Sequence, residues 1–96
     1  MKGYWIILGA TVTDTEAQQE YGRLWGPIAA KYGATLKQLA PGALVESHTS
    51  SRVLAVEFAS YTQAKACYDD PAYTEAKAFA LRAAPRELII IEGDLS

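Results

Sequence analysis

The chain contains one cysteine, Cys67, and one histidine, His48. A lone cysteine excludes an intrachain disulfide. A lone histidine cannot build a multi-histidine metal site, so neither a metal nor a cofactor is expected. The sequence holds no glycine-rich phosphate loop, no HExxH, no CxxC and no nucleophile elbow, and with them go the strong signatures of nucleotide, zinc, redox and serine-hydrolase chemistry. Basic residues are not in excess: nine Lys and Arg stand against eleven Asp and Glu, for a formal net charge of -2. Neither a nucleic acid nor a membrane surface is favoured as a partner by that balance. Apolar runs are short. The opening MKGYWIILGATV falls far below the ~20 residues of a membrane span and lacks the longer apolar core and cleavage site of a secretion signal. It reads as a strand, and a cytoplasmic protein is the expectation. Repeats, linkers and low-complexity stretches are also missing.

What remains is one expected small domain over residues 1–96. At this size folding buries roughly 60–70% of the unfolded surface, so the core is marginal unless something adds to it. Half of the residues are hydrophobic, a surplus that points to apolar surface buried between chains.

Gly3 to Val12 reads as a first strand, rich in aromatic and branched residues. Tyr4, Ile6 and Leu8 point one way and Trp5 and Ile7 the other. A strand apolar on both sides must be covered on both sides. Thr13 with Glu16 fits a capping box, with Asp14 as the alternative cap. Ala17, Tyr21, Leu24, Trp25, Ile28, Ala29 and Tyr32 then follow at helical spacing. Gly26-Pro27 predicts a kink and Gly33 a left-handed cap. Ala34 to Leu39 reads as a short strand, Ala40-Pro41-Gly42 as a turn or bulge, and Ala43 to His48 as its continuation. Thr49-Ser50-Ser51 would then be a hairpin loop, placing His48 opposite Arg52, Glu46 opposite Leu54 and Leu44 opposite Val56. Arg52 to Phe58 is the third strand. Ser60 caps a short helix, Asp70-Pro71 ends it and starts another, and the second carries Ala76, Phe79, Ala80 and Ala83 on one side to about Ala84. Pro85 prevents continuation, Leu88 to Glu92 is the last strand, and residues 93–96 form a tail.

The order strand, helix, strand, strand, helix, strand is the ferredoxin-like α+β arrangement, a four-stranded antiparallel sheet with helices on one face. The other face would leave roughly 400 Å² or more of apolar surface open, unusual for a monomer. Two sheets packed face to face about a two-fold axis solve the problem, so a homodimer is expected.

Lys2-Gly3-Tyr4-Trp5-Ile6, Tyr32-Gly33, Arg52-Val53-Leu54-Ala55-Val56-Glu57-Phe58, Tyr68-Asp69-Asp70-Pro71-Ala72-Tyr73 with Ala76 and Arg82, and Ile91-Glu92-Gly93 together resemble the family called domain of unknown function 1330. The resemblance covers nearly the whole chain and implies the dimeric α+β barrel architecture. The family carries a second glycine where this chain has Ala34, and a longer loop than Thr49-Ser50-Ser51.

The candidate site residues each have a structural alternative. His48 is the one side chain that titrates near neutral pH unperturbed, hence a candidate acid or base; otherwise it is an exposed hairpin-tip residue. Glu57 lies in an apolar strand, so it is either a pocket carboxylate, a second catalytic candidate, or bonded to a nearby arginine or to backbone donors. Arg52 suits a substrate carboxylate or an ion pair with Glu46. Tyr68, Tyr73 and Arg82 surround the helix break and either line a ligand pocket between helices and sheet or hold the break together. Trp25, with Tyr21, would form the opposite wall or pack in the core. Relatives of the superfold that the resemblance implies include cofactor-independent monooxygenases, isomerases and dehydratases, which is analogy at the level of fold. Two readings stay open: a homodimer that binds or transforms a small organic molecule, and a non-catalytic homo-oligomeric binding module. RNA binding is disfavoured, because the third strand lacks exposed aromatics among basic residues.

Overall fold

The computed structural model describes residues 1–39 and 42–93. It contains strand β1 (Lys2–Gly9), helix α1 (Thr15–Tyr32), strands β2 (Thr35–Gln38) and β3 (Arg52–Phe58), helices α2 (Tyr61–Asp69) and α3 (Pro71–Ala83), and strand β4 (Arg86–Gly93). The sheet order is β2-β3-β1-β4 and every pairing is antiparallel. This is the ferredoxin-like α+β fold.

The alternation in β1 assigns its two faces. Trp5 sits between Val56 and Ile90, and Ile7 between Leu54 and Leu88. Those residues share the helix side and build the core with Ile28, Phe58, Ala64, Cys67, Tyr73 and Ala76. Trp5 is fully buried, and its indole Nε1 donates to the Ala64 carbonyl at 3.0 Å. A buried tryptophan needs such a partner. Gly3 faces the same side, where an added Cβ would come within 2.5 Å of the Ser60 carbonyl oxygen. The corner between β3 and α2 therefore packs directly onto the β1 backbone. Ala76, Ala80 and Ala83 are all buried on α3, so small side chains bring that helix close.

Tyr4, Ile6 and Leu8 face the other way, beside Val53, Ala55 and Glu57 of β3 and Glu87, Ile89 and Ile91 of β4. Among the described residues no helix covers this side. Ile89 is 57% exposed there.

Several boundaries move. β1 ends at Gly9 rather than Val12, because the chain leaves the sheet to bond with the end of α3: Ala10 N–H donates to Pro85 and Thr13 N–H to Ala83, both at 2.9 Å. Asp14, the alternative cap, starts α1 by accepting from Ala17 N–H, while the Thr13 hydroxyl donates to Ala83. Pro27 lies exposed and does not divide α1. Gly33 closes it in the left-handed conformation at φ 63°. Ser60 and Asp70 cap α2 and α3, with Pro71 in the first turn, as their spacing predicts. β4 begins at Arg86, two residues before the expected Leu88, because β1 offers a partner along its whole length.

The largest correction concerns the second strand. Thr35–Gln38 pairs with Leu54 to Glu57 on the β3 edge, with Leu36 opposite Val56 and the Gln38 backbone opposite Leu54. Residues 43–48 form no strand, so Leu44 and Glu46 do not hold the pairings expected of them, and Arg52 pairs with Gly9 of β1 instead of His48. The reason is local. After Gly33 the Ala34 N–H bonds back to Ala29, delivering the next extended residues straight onto the β3 edge. The connection to β3 is then residues 39–51, not a three-residue loop. Ala40 and Pro41 of the expected turn, and 94–96 of the expected tail, lie outside the described residues.

Candidate functional site

A cavity of about 220 Å³ opens between α1 and the helix side of the sheet. Its walls are Trp5, Ile7, Leu54 and Val56 from the strands and Tyr21 and Trp25 from α1, with Leu36 at the β2 edge. Polar groups are few: Gln18, Tyr21, Arg52 and Arg86. The helix stripe that places Tyr21 and Trp25 together also aligns their rings, with planes only 6° apart and centroids 6.4 Å apart. Trp25 meets Trp5 at 5.4 Å. An apolar cavity with a few converging polar groups is the usual form of a small-molecule site.

Three of the sequence-derived candidates line it, Tyr21, Trp25 and Arg52. The Arg52 Nε donates to the Ala10 carbonyl at 3.3 Å. Tyr73 lies behind the wall, fully buried. Its hydroxyl is 3.1 Å from that of Tyr21 and accepts from the Arg86 Nη2 at 2.6 Å. Burial pushes the Tyr73 hydroxyl well above the ordinary phenol range, with Tyr21 adding to the rise. It therefore stays protonated and serves as a positioning group for Tyr21 and Arg86. Burial disfavours the charge on Arg86, but its contacts with Tyr73 and Tyr21 together prevail and the guanidinium is held charged.

The others go elsewhere. Tyr68 packs edge-on against Trp5 at 5.9 Å and carries the Lys77 ammonium over its ring at 4.9 Å. Arg82 is exposed on the last turn of α3 and covers the Phe79 ring; its neighbours across a shallow depression are Asp14, Glu16 and Glu20. His48 is exposed in the connection between β2 and β3. Glu57 is on the opposite side of the sheet, beside Tyr4. Lys2 reaches its Oε1 at 3.3 Å and Lys37 its Oε2 at 3.6 Å. Burial pushes the Glu57 carboxyl up, but the two lysines prevail and hold it below its ordinary value. Glu57, Tyr73, Arg82 and His48 thus do not converge.

Arg86 is the cavity residue that the sequence reading did not single out. The signal was available. Arg86, Leu88 and Ile90 alternate on one face, and Leu88 and Ile90 are apolar toward the helices. A second feature, the Asp70 latch, was legible only as a cap. Asp70 accepts from Ala72 N–H at 2.8 Å, and also takes Tyr32 at 2.5 Å and Lys31 at 2.9 Å from the end of α1. Those bonds, the Tyr32 hydroxyl first, hold its carboxyl at about 2. Cys67 lies beneath, fully buried, and burial pushes its thiol up to about 12. Among the described residues no group of three or more His, Cys, Asp or Glu could hold a metal ion, and no helix is long and apolar enough to cross a membrane.

The sequence matches the family described as Domain of unknown function (DUF1330) over residues 2–94. The chain belongs to that family. No curated protein matches it. Among solved structures it is similar to RPA0582, a protein of unknown function from Rhodopseudomonas palustris, at 20% identity and a TM-score of 0.66, over 99% of this chain and 84% of that one. A dimeric ferredoxin-like protein of unknown function from Jannaschia matches at 11% identity and a TM-score of 0.73, over 97% and 100% of the chains. A mutant of SnoaB, a cofactor-independent oxygenase from Streptomyces nogalater, matches at 12% identity and a TM-score of 0.67, over 99% and 95%. At these identities the likeness is one of fold.

Proposed function

We propose that this DUF1330 protein is a cytoplasmic homodimer that binds a small organic molecule in the cavity between α1 and the sheet. The observation that carries the reading is the wall of Trp5, Tyr21 and Trp25 enclosing about 220 Å³ with Arg52 and Arg86 in the lining. At ~30 Å³ of liquid volume per water, the space equals roughly seven waters, which suits a molecule of one ring. Binding, rather than turnover, is the activity proposed. No histidine, carboxylate or thiol is among the lining residues, and Tyr73 behind them is a phenol held protonated. That arrangement can orient a ligand and donate hydrogen bonds, but it offers no base at neutral pH. The oxygenase SnoaB shares the fold, and turnover is the alternative. The dimer part rests on the uncovered sheet face, where Ile6, Leu8, Val53, Ile89 and Ile91 lie together, and on a structural neighbour described as dimeric.

Binding is tested by tryptophan fluorescence against a panel of monocyclic aromatic fragments, with Gly22→Phe as control. Gly22 lines the cavity and an added Cβ there meets nothing within 4 Å, so phenylalanine blocks the space without straining the helix. Saturable quenching that Gly22→Phe abolishes is expected. Quenching by no fragment, or equal quenching in the blocked variant, refutes the cavity reading. Oxygen consumption with any fragment that binds would replace simple binding by turnover.

A further inference from the structure

We infer that the cavity is built for an organic anion, a small ring bearing one carboxylate, whose charged end lies between Arg52 and Arg86. This rests on the cavity being a ligand site. The argument begins with one transverse row of the sheet. Gly9 of β1 is paired with Arg52 on one side and with Arg86 on the other. All three residues share the face of Trp5 and Ile7, toward the helices. With strands ~4.8 Å apart, the two arginine stems rise roughly 10 Å from one another. Between them the strand carries no side chain. The space above Gly9 is in use: an added Cβ would stand 2.9 Å from the Arg52 Nη2. Glycine here lets a guanidinium lie down on the strand.

The charge balance of the row is the second observation. Among the described residues, the ion pairs use Lys2, Arg23, Lys31, Lys37 and Lys65. Arg52 and Arg86 take part in none, although both line a mostly apolar space. Each is tethered by a neutral acceptor, Arg52 by the Ala10 carbonyl and Arg86 by the Tyr73 hydroxyl. The Arg86 guanidinium also lies over the Tyr21 ring, at 5.6 Å. A guanidinium has five N–H donors, so each keeps donors to offer. Two cations with neutral tethers on the wall of one cavity repel each other, and an anion between them removes that cost while accepting charge-assisted bonds. Trp5, Trp25 and Tyr21 supply flat apolar surface for the rest of the molecule. Inorganic phosphate would leave that surface unused, which selects an organic acid.

The test is isothermal titration of the intact protein with three probes of one shape: benzoate, benzamide and benzylamine. Benzoate is expected to bind at least about tenfold more tightly than benzamide, and benzylamine more weakly than either. Arg52→Gln and Arg86→Gln, checked for fold by circular dichroism, should each bring benzoate close to benzamide while leaving benzamide unchanged. The wild-type comparison stands even if a variant fails to fold, and Gly9→Ala, which keeps both charges but displaces Arg52, should weaken benzoate more than benzamide. Equal affinity for benzoate and benzamide overturns the inference and leaves the cavity reading intact. Binding of none of the three, together with a silent fragment panel, overturns both.

Discussion

The two faces of one sheet carry charge in opposite ways. On the open face Glu57 stands between Lys2 and Lys37, at 3.3 and 3.6 Å, and its charge is answered from within the chain. On the helix face Arg52 and Arg86 flank Gly9, and no carboxylate answers them among the described residues. The two charged sets meet on β3, where Glu57 and Arg52 fall on opposite sides of the alternation. A burial argument alone treats them alike, since a buried charge needs a partner in either place. The contrast separates a structural charge, which brings its own counter-ion, from a charge with no counter-ion among the described residues. It also separates the apolar groups. Trp5 and Ile7 are closed over by the chain's own helices, whereas Ile89 on the reverse face is 57% exposed and is covered only in the proposed dimer.

The comparison is broken most severely at Trp5. Truncation to alanine should cost about 3–5 kcal/mol of stability, read by urea unfolding, because it removes the residue around which Trp25, Phe58, Tyr68 and Tyr73 are arranged. A loss under about 1 kcal/mol would mean that the helix face is not the core. On the other face, Ile89→Asp should convert the dimer to a monomer in light scattering while benzoate still binds. A dimer that survives would move the interface off the sheet, and lost binding would show that the two faces are coupled.

Tyr73→Phe acts on the cavity side alone. It deletes the acceptor of the Arg86 Nη2 and the contact with the Tyr21 hydroxyl, and should cost about 1–3 kcal/mol, the range for a hydrogen bond to a charged group. An unchanged unfolding curve would show that Arg86 finds another acceptor. The smallest effect belongs to Asp70, away from both faces. Its carboxyl is depressed from 3.8 to about 2 in the fold, so its contribution is fully present above about pH 4 and is lost as pH falls through 2. Thermal unfolding between pH 4 and 2 should show a decline that Asp70→Asn flattens. An identical acid limb in the variant would assign the decline to other carboxylates.

The faces of β1 were legible because strand geometry alternates whatever the context, so Trp5 and Ile7 had to oppose Tyr4, Ile6 and Leu8. The caps at Ser60 and Asp70 and the left-handed Gly33 were legible because each depends on a few adjacent residues. The strand within Ala34 to Leu39 was legible, but its continuation over 43–48 was misplaced because pairing is not local. Residues 43–48 were read as part of that strand, yet Thr35–Gln38 holds the β3 positions expected of them. The site suffered from the same limit. Glu57 looked like a pocket carboxylate from its apolar neighbours, but the parity of β3 turns it away from Arg52, Leu54 and Val56. Arg82 looked like a pocket cation from its place after the helix break, and the turn of α3 carries it to the surface.

Element order, helix caps, the alternation of the strands and the surplus of apolar surface were written in the chain itself, since each follows from short-range sterics or from composition. The family relationship was legible too, in residues spread over the whole length. Only the folded chain brought Arg86 into line with Gly9 and Arg52. Those three residues come from three different strands, far apart in sequence, and the register that aligns them is a property of the packed sheet, not of any one segment.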